Sequence, residues 1–159
     1  MWHKIRPIAF VLNLVLVAVL TLSCTITSIT TPATTGDAKV VKVIDGDTIE
    51  VNISSTIYRV RYIGIDTPEI GEPFYQEATN KNSEFVGGKT VKLEKDVSET
   101  DKYGRLLRYV YVGDLFVNAE LVRSGYARAI TYQPDVRYQG FLESMEQEAK
   151  QAFRGMWAK

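Results

Sequence analysis

Apolar and polar residues alternate through the middle of this 159-residue chain, a pattern that predicts a series of short β-strands. Turn residues separate the first strands: Asp45-Gly46 follows the first and Ser54-Ser55 follows the second. Gly64, inside the third strand pattern, indicates a bulge or a close approach of the backbone. We expect five strands, at residues 39–44, 48–52, 56–65, 90–95 and 106–112.

Helical patterns follow the third and the fifth strands. Residues 75–86 predict a helix closed by Gly87-Gly88, and Asn118 is placed to cap a second helix that ends at Ser124-Gly125. A third helix is predicted from apolar residues at helical spacing, which are Phe141, Met145, Ala149, Ala152 and Met156. Five strands and three helices fit the α+β class and are consistent with an OB-fold-type β-barrel, although periodicity leaves its closure open.

The N-terminal segment has the pattern of an export signal. Residues 1–6 are basic and residues 8–22 are mostly apolar. Ser23 precedes Cys24, the single cysteine, in a sequence similar to the lipobox of bacterial-type lipoproteins. Lipidation of Cys24 would anchor the protein to a membrane; an ordinary cleaved signal and an uncleaved anchor are the alternatives. We therefore expect an exported protein, lipid-anchored at the cell surface or secreted, with a signal peptide at residues 1–23, a Ser/Thr-rich tether at 24–38 and a domain at 39–159.

The overall charge argues against one class of function. The chain has 19 basic and 19 acidic residues, and removal of Lys4 and Arg6 with the leader leaves 17 basic and 19 acidic residues. Proteins that coat nucleic acid through bulk electrostatics are normally basic. Any contact with nucleic acid must therefore depend on a local site.

Three short clusters carry candidate chemistry. They are Asp45-Gly46-Asp47-Thr48, residues 61–69 and residues 101–105. Turn formation explains each cluster taken singly. Together they supply Asp and Glu side chains without a matching set of His or Cys, and such oxygen ligands favour calcium or magnesium over zinc or copper. The arginines beside these carboxylates have the planar geometry that matches phosphate oxygens.

These motifs resemble those of the thermonuclease family, typified by staphylococcal nuclease. The resemblance covers residues 40–157 and includes Asp-Gly-Asp-Thr, Asp-Thr-Pro-Glu and Asp-Lys-Tyr-Gly-Arg in that order, followed by the helix pattern of residues 117–125. It implies a five-stranded OB-type barrel, one bound Ca²⁺, and cleavage of the 5′ P–O bond of DNA and RNA to leave 3′-phosphates.

The resemblance also implies the metal ligands and the group that acts on water. Asp47 and Asp66 would bind calcium through their carboxylates, and Thr67 would bind it through its backbone carbonyl. Glu69 would position or deprotonate the attacking water, and the sequence leaves these two roles open. Asp45 belongs to the same motif as a turn former or as a hydrogen-bond acceptor behind the ligands.

The substrate contacts follow from the same resemblance. Arg61 and Arg105 would hold the scissile phosphate, and Arg105 would also assist the leaving group. Tyr103 and Tyr132 would line the nucleotide pocket. Residues 70–74 form a shorter loop than in the type member and contain no basic residue, so we expect weaker and less salt-dependent substrate binding.

Two other functions compete with a calcium-dependent, sequence-nonspecific nuclease. An inactive OB-fold module that binds nucleic acid or protein would be expected to lack Arg61, Glu69 or Arg105, and all three are present. A secreted calcium-binding domain accounts for Asp47 and Asp66 but leaves both arginines unexplained. We therefore predict a monomeric nuclease, with no protein partner implied.

Overall fold

The computed structural model describes residues 35–158, apart from the side chain of Thr35. Its strands are β1 (Thr35–Val43), β2 (Thr48–Ile53), β3 (Thr56–Tyr62), β4 (Ile65–Asp66), β5 (Thr90–Glu94), β6 (Leu106–Val112), β7 (Leu115–Phe116) and β8 (Arg128–Ala129). Its helices are α1 (Tyr75–Val86), α2 (Val117–Arg123), α3 (Gln139–Gln151) and a short 3₁₀ helix (Gly155–Trp157).

Five of the strands close into a barrel, in the order β3-β2-β1-β5-β6. Neighbours in this order are antiparallel, and a parallel pairing between β3 and β6 completes the ring. This closed barrel with three α-helices confirms the predicted α+β, OB-fold-type architecture. The remaining short strands extend it: β7 pairs with β6, and β4 pairs with β8 in a separate ladder.

The barrel interior is the main hydrophobic core. Ile49 and Val51 of β2 and Val60 of β3 are fully buried there. β6 is buried from residue 106 to residue 110 because both of its faces are covered. Leu106 and Val110 face the main core, whereas Leu107 and Tyr109 join a second cluster on the outer side.

The structure corrects the limits of two strands. β1 begins at Thr35, four residues before the predicted start of the domain, and residues 35–38 pair with β5. The third strand ends at Tyr62 instead of continuing to Ile65, because Gly64 has φ +74° and turns the chain. A Cβ on Gly64 would lie 2.7 Å from Cδ1 of Leu142, so the predicted close approach is confirmed.

The first helix has the predicted limits, but the second begins differently. The side chain of Asn118 does not cap α2, whose first flanking residue is Phe116. Asn118 is buried, accepts the N–H of Val110 at 3.0 Å and donates to the carbonyl of Ile63 at 2.9 Å. A residue predicted to begin a helix therefore joins β6 to the segment after β3.

The buried face of the third helix is only partly the predicted one: Ala149 is buried and Met145 packs against the main core, as predicted. Leu142 and Ala149 are its buried residues, whereas Phe141 is 48% exposed. The helix ends at Gln151, and Met156 lies in the 3₁₀ helix. The predicted face was too long because the apolar spacing was continued through Ala152 and Met156, which lie beyond the end of the helix.

The predicted signal peptide (residues 1–23), Cys24 and most of the predicted tether lie outside residues 35–158. Within residues 35–158, no helix has the length and apolar character needed to cross a membrane.

Candidate active site

The turn between β1 and β2 places Asp47 inside the protein. The carboxylate of Asp45 accepts the N–H of Asp47 at 3.0 Å, which stabilises the turn. The carbonyl of Asp45 accepts a hydrogen bond of 2.8 Å from the buried side chain of Asn82 in α1. A Cβ on Gly46 would lie 2.7 Å from Oγ1 of Thr67, so glycine allows the turn to pack directly against Thr67. Asp45 thus acts as a turn former, one of the two roles that the sequence predicted for it.

Both carboxylate oxygens of Asp47 are held by neighbouring groups. Oδ2 accepts the backbone N–H of Thr67 at 2.9 Å and its hydroxyl at 3.0 Å. Oδ1 accepts the hydroxyl of Thr48 at 3.1 Å and lies 3.2 Å from Nε of Arg61. These contacts tie the β1–β2 turn to the segment after β4.

Arg61 lies between the two candidate metal-binding aspartates. Its side chain is 9% exposed, and Nη1 donates to the carbonyls of Tyr62 and Ile65, both at 2.8 Å. Nη2 donates to Oδ1 of Asp66 at 2.8 Å. The guanidinium therefore bridges a buried carboxylate, Asp47, and a half-exposed one, Asp66.

The electrostatics around Asp47 favour an added positive charge. Burial raises the pKa of its carboxyl to about 6, although the Arg61 guanidinium opposes this increase, and the charge on Asp45 adds to it. An ionised Asp47 is therefore only partly compensated by the protein. A cation bound beside it would offset the remaining cost of burying the charge.

Glu69 lies at the surface, just after Pro68. Its backbone N–H donates to the Glu72 carboxylate at 2.8 Å, and its carbonyl accepts the N–H of Glu72 at 2.9 Å. These bonds fix the backbone at the start of the loop over residues 70–74. Among residues 35–158, no group donates a hydrogen bond to the Glu69 carboxylate, which leaves this side chain free to contact water.

Arg105 is oriented by Asp101, a residue to which the sequence motif gave no separate role. Nε of Arg105 donates to Oδ2 of Asp101 at 2.6 Å, while Oδ1 accepts the N–H groups of Tyr103 and Arg105. Burial raises the pKa of Asp101, but these hydrogen bonds outweigh it and hold the pKa below its ordinary value. The carboxylate therefore stays ionised and keeps the loop in place.

The two predicted tyrosines have different surroundings. Tyr103 is 72% exposed, and its ring centroid lies 5.5 Å from Cζ of Arg105. Tyr132 is half-buried against the second hydrophobic cluster, which contains Leu107. Leu107 is the β6 partner of Arg61, so the β3–β6 pairing brings the strand of Arg61 next to the strand that follows Arg105.

A cleft of about 430 Å³ opens beside Asp66. The pairing of β4 with β8 places Arg128 directly opposite Asp66 at this cleft. Sequence reasoning missed Arg128, because no motif contains it and only the β4–β8 ladder brings it to the site. The residues that line the cleft are Asp66, Thr67, Pro68, Glu72, Pro73, Phe74, Arg128 and Met156.

The donor set is composed of oxygen atoms. Within residues 35–158, no group of three or more His, Cys, Asp or Glu side chains is arranged to hold a metal. Any metal at Asp47 and Asp66 would therefore need backbone carbonyl or water oxygens to complete its coordination. Calcium and magnesium accept such ligands.

Comparison with known proteins decides the family. Residues 59–159 match the sequence model of the family described as "Staphylococcal nuclease homologue". This chain belongs to the staphylococcal nuclease family.

Nucleases from several bacteria are similar to the chain over most of its length. It is 36% identical to a thermonuclease of Staphylococcus hyicus, over 76% of this chain and 75% of the relative. It is 37% identical to a thermonuclease of Staphylococcus intermedius, over 78% of each chain. It is 38% identical to endonuclease YncB of Bacillus subtilis, over 81% of this chain and 67% of the relative. The chain is accordingly a phosphodiester-hydrolysing endonuclease, as the sequence predicted.

Proposed function

We propose that the chain is a calcium-dependent, sequence-nonspecific nuclease that cleaves the 5′ P–O bond of DNA and RNA and leaves 3′-phosphates. The main observation in support is Arg61, a buried guanidinium held between the carboxylates of Asp47 and Asp66. This arrangement combines two hard anionic ligands with a fixed positive charge. Phosphoryl transfer benefits from such a combination because negative charge accumulates on the phosphate oxygens.

The proposed calcium ligands are the carboxylates of Asp47 and Asp66 and the backbone carbonyl of Thr67. They fit calcium because all three are oxygen donors and because the buried Asp47 carboxylate is incompletely neutralised. Bound calcium would supply a Lewis acid next to the scissile phosphate.

The two arginines are proposed to have different roles at the scissile phosphate. The guanidinium of Arg61 already donates three hydrogen bonds within the protein, so its proposed contribution to phosphate binding is mainly a fixed positive charge. Within residues 35–158, only Nε of Arg105 has an acceptor, which leaves both Nη groups of Arg105 for phosphate oxygens and for the leaving group.

Water and nucleotide contacts complete the proposed site. The exposed carboxylate of Glu69 is assigned to the attacking water, which it orients or deprotonates. Tyr103 and Tyr132 are assigned to the nucleotide. These residues offer no donor–acceptor pattern for specific bases, which supports a nonspecific reaction on both DNA and RNA.

A cleavage assay with purified protein tests this function. Single-stranded DNA and RNA should both be degraded in CaCl₂, poorly in MgCl₂ and not in EGTA, and phosphatase treatment should release phosphate from the 3′ ends. Glu69→Gln should reduce the rate by about 10²-fold, the scale for loss of a positioned base. Full activity in excess EGTA would exclude the metal assignment. Tight nucleic-acid binding without cleavage would instead favour an inactive OB-fold module.

A further inference from the structure

Arg128 differs from the other arginines of the described part of the chain. Residues 35–158 contain eight arginines, and in seven of them the guanidinium forms an ion pair with a carboxylate. The side chain of Arg128 makes no ion pair or hydrogen bond within residues 35–158. Its five N–H donors are therefore available to a ligand.

The backbone fixes this arginine beside Asp66, a proposed calcium ligand. Arg128 and Asp66 are directly opposite each other in the antiparallel β4–β8 ladder, and both line the cleft of about 430 Å³. A group bound at Arg128 would therefore lie next to the site of phosphate cleavage.

Arg128 is also oriented before any ligand arrives. Its Cζ lies 5.7 Å from the ring centroid of Trp157. Nζ of Lys150 lies 4.5 Å from the same centroid and also contacts Glu146 at 2.6 Å. Cation–π contacts of this kind restrict the guanidinium without using its N–H groups.

The rest of the cleft has walls suited to a sugar and a base. Pro68, Pro73, Phe74 and Met156 provide apolar surface. Phe74 has φ +68°, a strained conformation for a residue with a side chain, and such strain is concentrated at functional positions. The volume lies in the range of small-molecule sites.

The acidic residues in the cleft form no ion pair with Arg128 within residues 35–158. The carboxylate of Asp66 is paired with Arg61, and the carboxylate of Glu72 accepts the N–H of Glu69. Among residues 35–158, Arg128 is thus the cation of this cleft that has no carboxylate partner, beside a loop over residues 70–74 that contains no basic residue.

We propose that this cleft is a second nucleotide subsite, in which Arg128 binds the phosphate next to the scissile one and the apolar wall contacts its nucleoside. The inference rests on the proposed function, because it concerns the nucleic-acid strand that the same site cleaves. Arg128 then replaces phosphate contacts that the short loop over residues 70–74, which has no basic residue, does not supply.

Substrates of different length distinguish phosphate binding by Arg128 from a purely structural role of this residue. A dinucleoside monophosphate has only the scissile phosphate, whereas a tetranucleotide also has neighbouring phosphates. Arg128→Gln should lower kcat/KM for the tetranucleotide about tenfold more than for the dinucleoside, mainly through KM. A neutral methylphosphonate in place of one neighbouring phosphate should lower the kcat/KM of the wild-type enzyme by a similar factor. The same replacement should have little further effect on the kcat/KM of Arg128→Gln.

Two further variants serve as controls. Arg59→Gln removes an exposed arginine that pairs with Glu50 away from the cleft, and it should leave both substrates unaffected. Arg128→Lys keeps a cation over Trp157 but loses the planar fork, so it should fold normally and show a smaller loss on the tetranucleotide. This variant keeps the test valid if Arg128→Gln unfolds, which thermal unfolding would reveal.

Each outcome decides the proposal. Equal losses on both substrates, or no loss on either, would overturn the subsite. If the wild-type protein cleaves neither substrate, the proposed function fails, and binding of a fluorescent oligonucleotide then tests the cleft alone. Weaker binding by Arg128→Gln, with the slope of log K against log salt reduced by about 0.7, would support the subsite, and unchanged binding would overturn it.

Discussion

The two arginines assigned to the scissile phosphate differ in how much of each guanidinium the protein already uses. Arg61 donates to two backbone carbonyls and to Asp66, and it also stabilises the buried charge of Asp47. Within residues 35–158, the side chain of Arg105 donates only through Nε, to Asp101. Arg61 is therefore part of the folded framework, whereas most of Arg105 remains available to the substrate.

This difference predicts distinct effects of the same substitution. Arg105→Lys should lower kcat by about 10²-fold with little change in thermal stability, because an ammonium cannot make the paired phosphate contact. Arg61→Lys should lower both activity and stability, because it breaks hydrogen bonds of buried groups, each contributing about 1–3 kcal/mol. Steady-state kinetics and thermal unfolding measure the two effects. Near wild-type turnover of Arg105→Lys would contradict its assignment to the phosphate.

The grouping of the candidate site residues was predictable where short motifs contained them. Asp47, Asp66 and Arg61 lie in such motifs, and the structure brings them into contact. The hydrogen bonds from Thr67 to Asp47 and the position of Arg128 were not predictable, because each depends on pairing between distant segments.

At the scale of elements, the local sequence predicted where a helix or strand begins and ends only if no pairing with a distant segment changed those limits. The limits of α1 were predicted correctly because Gly87-Gly88 interrupts a helical pattern. The early start of β1 was missed because residues 35–38 are stabilised by pairing with β5, and their small and polar side chains give no strand pattern. Asn118 was misassigned because a polar residue before a helix commonly caps it, whereas here its amide bonds the backbone of another element.

The segment between β5 and β6 depends on a buried arginine that no motif singled out. Arg108 is 1% exposed, forms an ion pair with Glu99, and donates to the carbonyl of Glu99 at 3.1 Å. These contacts anchor the chain just before Asp101 and Arg105. Burial raises the pKa of Glu99, but hydrogen bonds from Arg108 and Lys95 outweigh it and leave the pKa below its ordinary value.

The lowered pKa of Glu99 predicts how stability depends on pH. A carboxyl whose pKa is lower in the folded state stabilises the protein above its unfolded-state pKa, about 4.3, and this contribution is lost as the pH falls through the folded-state pKa. Glu99→Gln should therefore lower the free energy of unfolding by about 1–3 kcal/mol at pH 7 and by progressively less below about pH 4. Urea unfolding at several pH values measures the difference between wild type and variant.

A surface ion pair provides the control for Glu99→Gln. Glu84 contacts Lys81 at 2.7 Å and its side chain is 65% exposed. Glu84→Gln should change the unfolding free energy little at any pH, because exposed pairs contribute little. A difference between wild type and Glu99→Gln that stays constant down to pH 3 would exclude ionisation of Glu99 as the cause.

At the scale of the whole molecule, the alternation of apolar residues predicted the number of principal strands, whereas their closure into a barrel was implied by the family resemblance alone. The parallel pairing of β3 with β6 closes the barrel, and alternation of apolar residues contains no information about which strands pair. The same pairing brings the strand of Arg61 next to the strand that follows Arg105. The closure that periodicity left open is thus also the feature that assembles the proposed site.

The proposed location of the nuclease depends on Cys24. We propose that Cys24 is lipidated after removal of residues 1–23, which would hold the nuclease outside the cell at a membrane. Two acyl chains hold a protein stably at a membrane, whereas a single chain binds only reversibly. β1 begins at Thr35, so the intervening segment limits the distance from Cys24 to the barrel to about 40 Å even if fully extended.

Cys24→Ser tests this location. Nuclease activity should move from the membrane fraction to the medium, or remain in an unprocessed precursor, because the lipid attachment site is lost. Activity per molecule should be unchanged, since Cys24 precedes the barrel and all the proposed catalytic residues. Fractionation, immunoblotting and N-terminal sequencing measure the outcome. Wild-type protein found entirely in the medium, with its N-terminus after Cys24, would show simple secretion instead of anchoring.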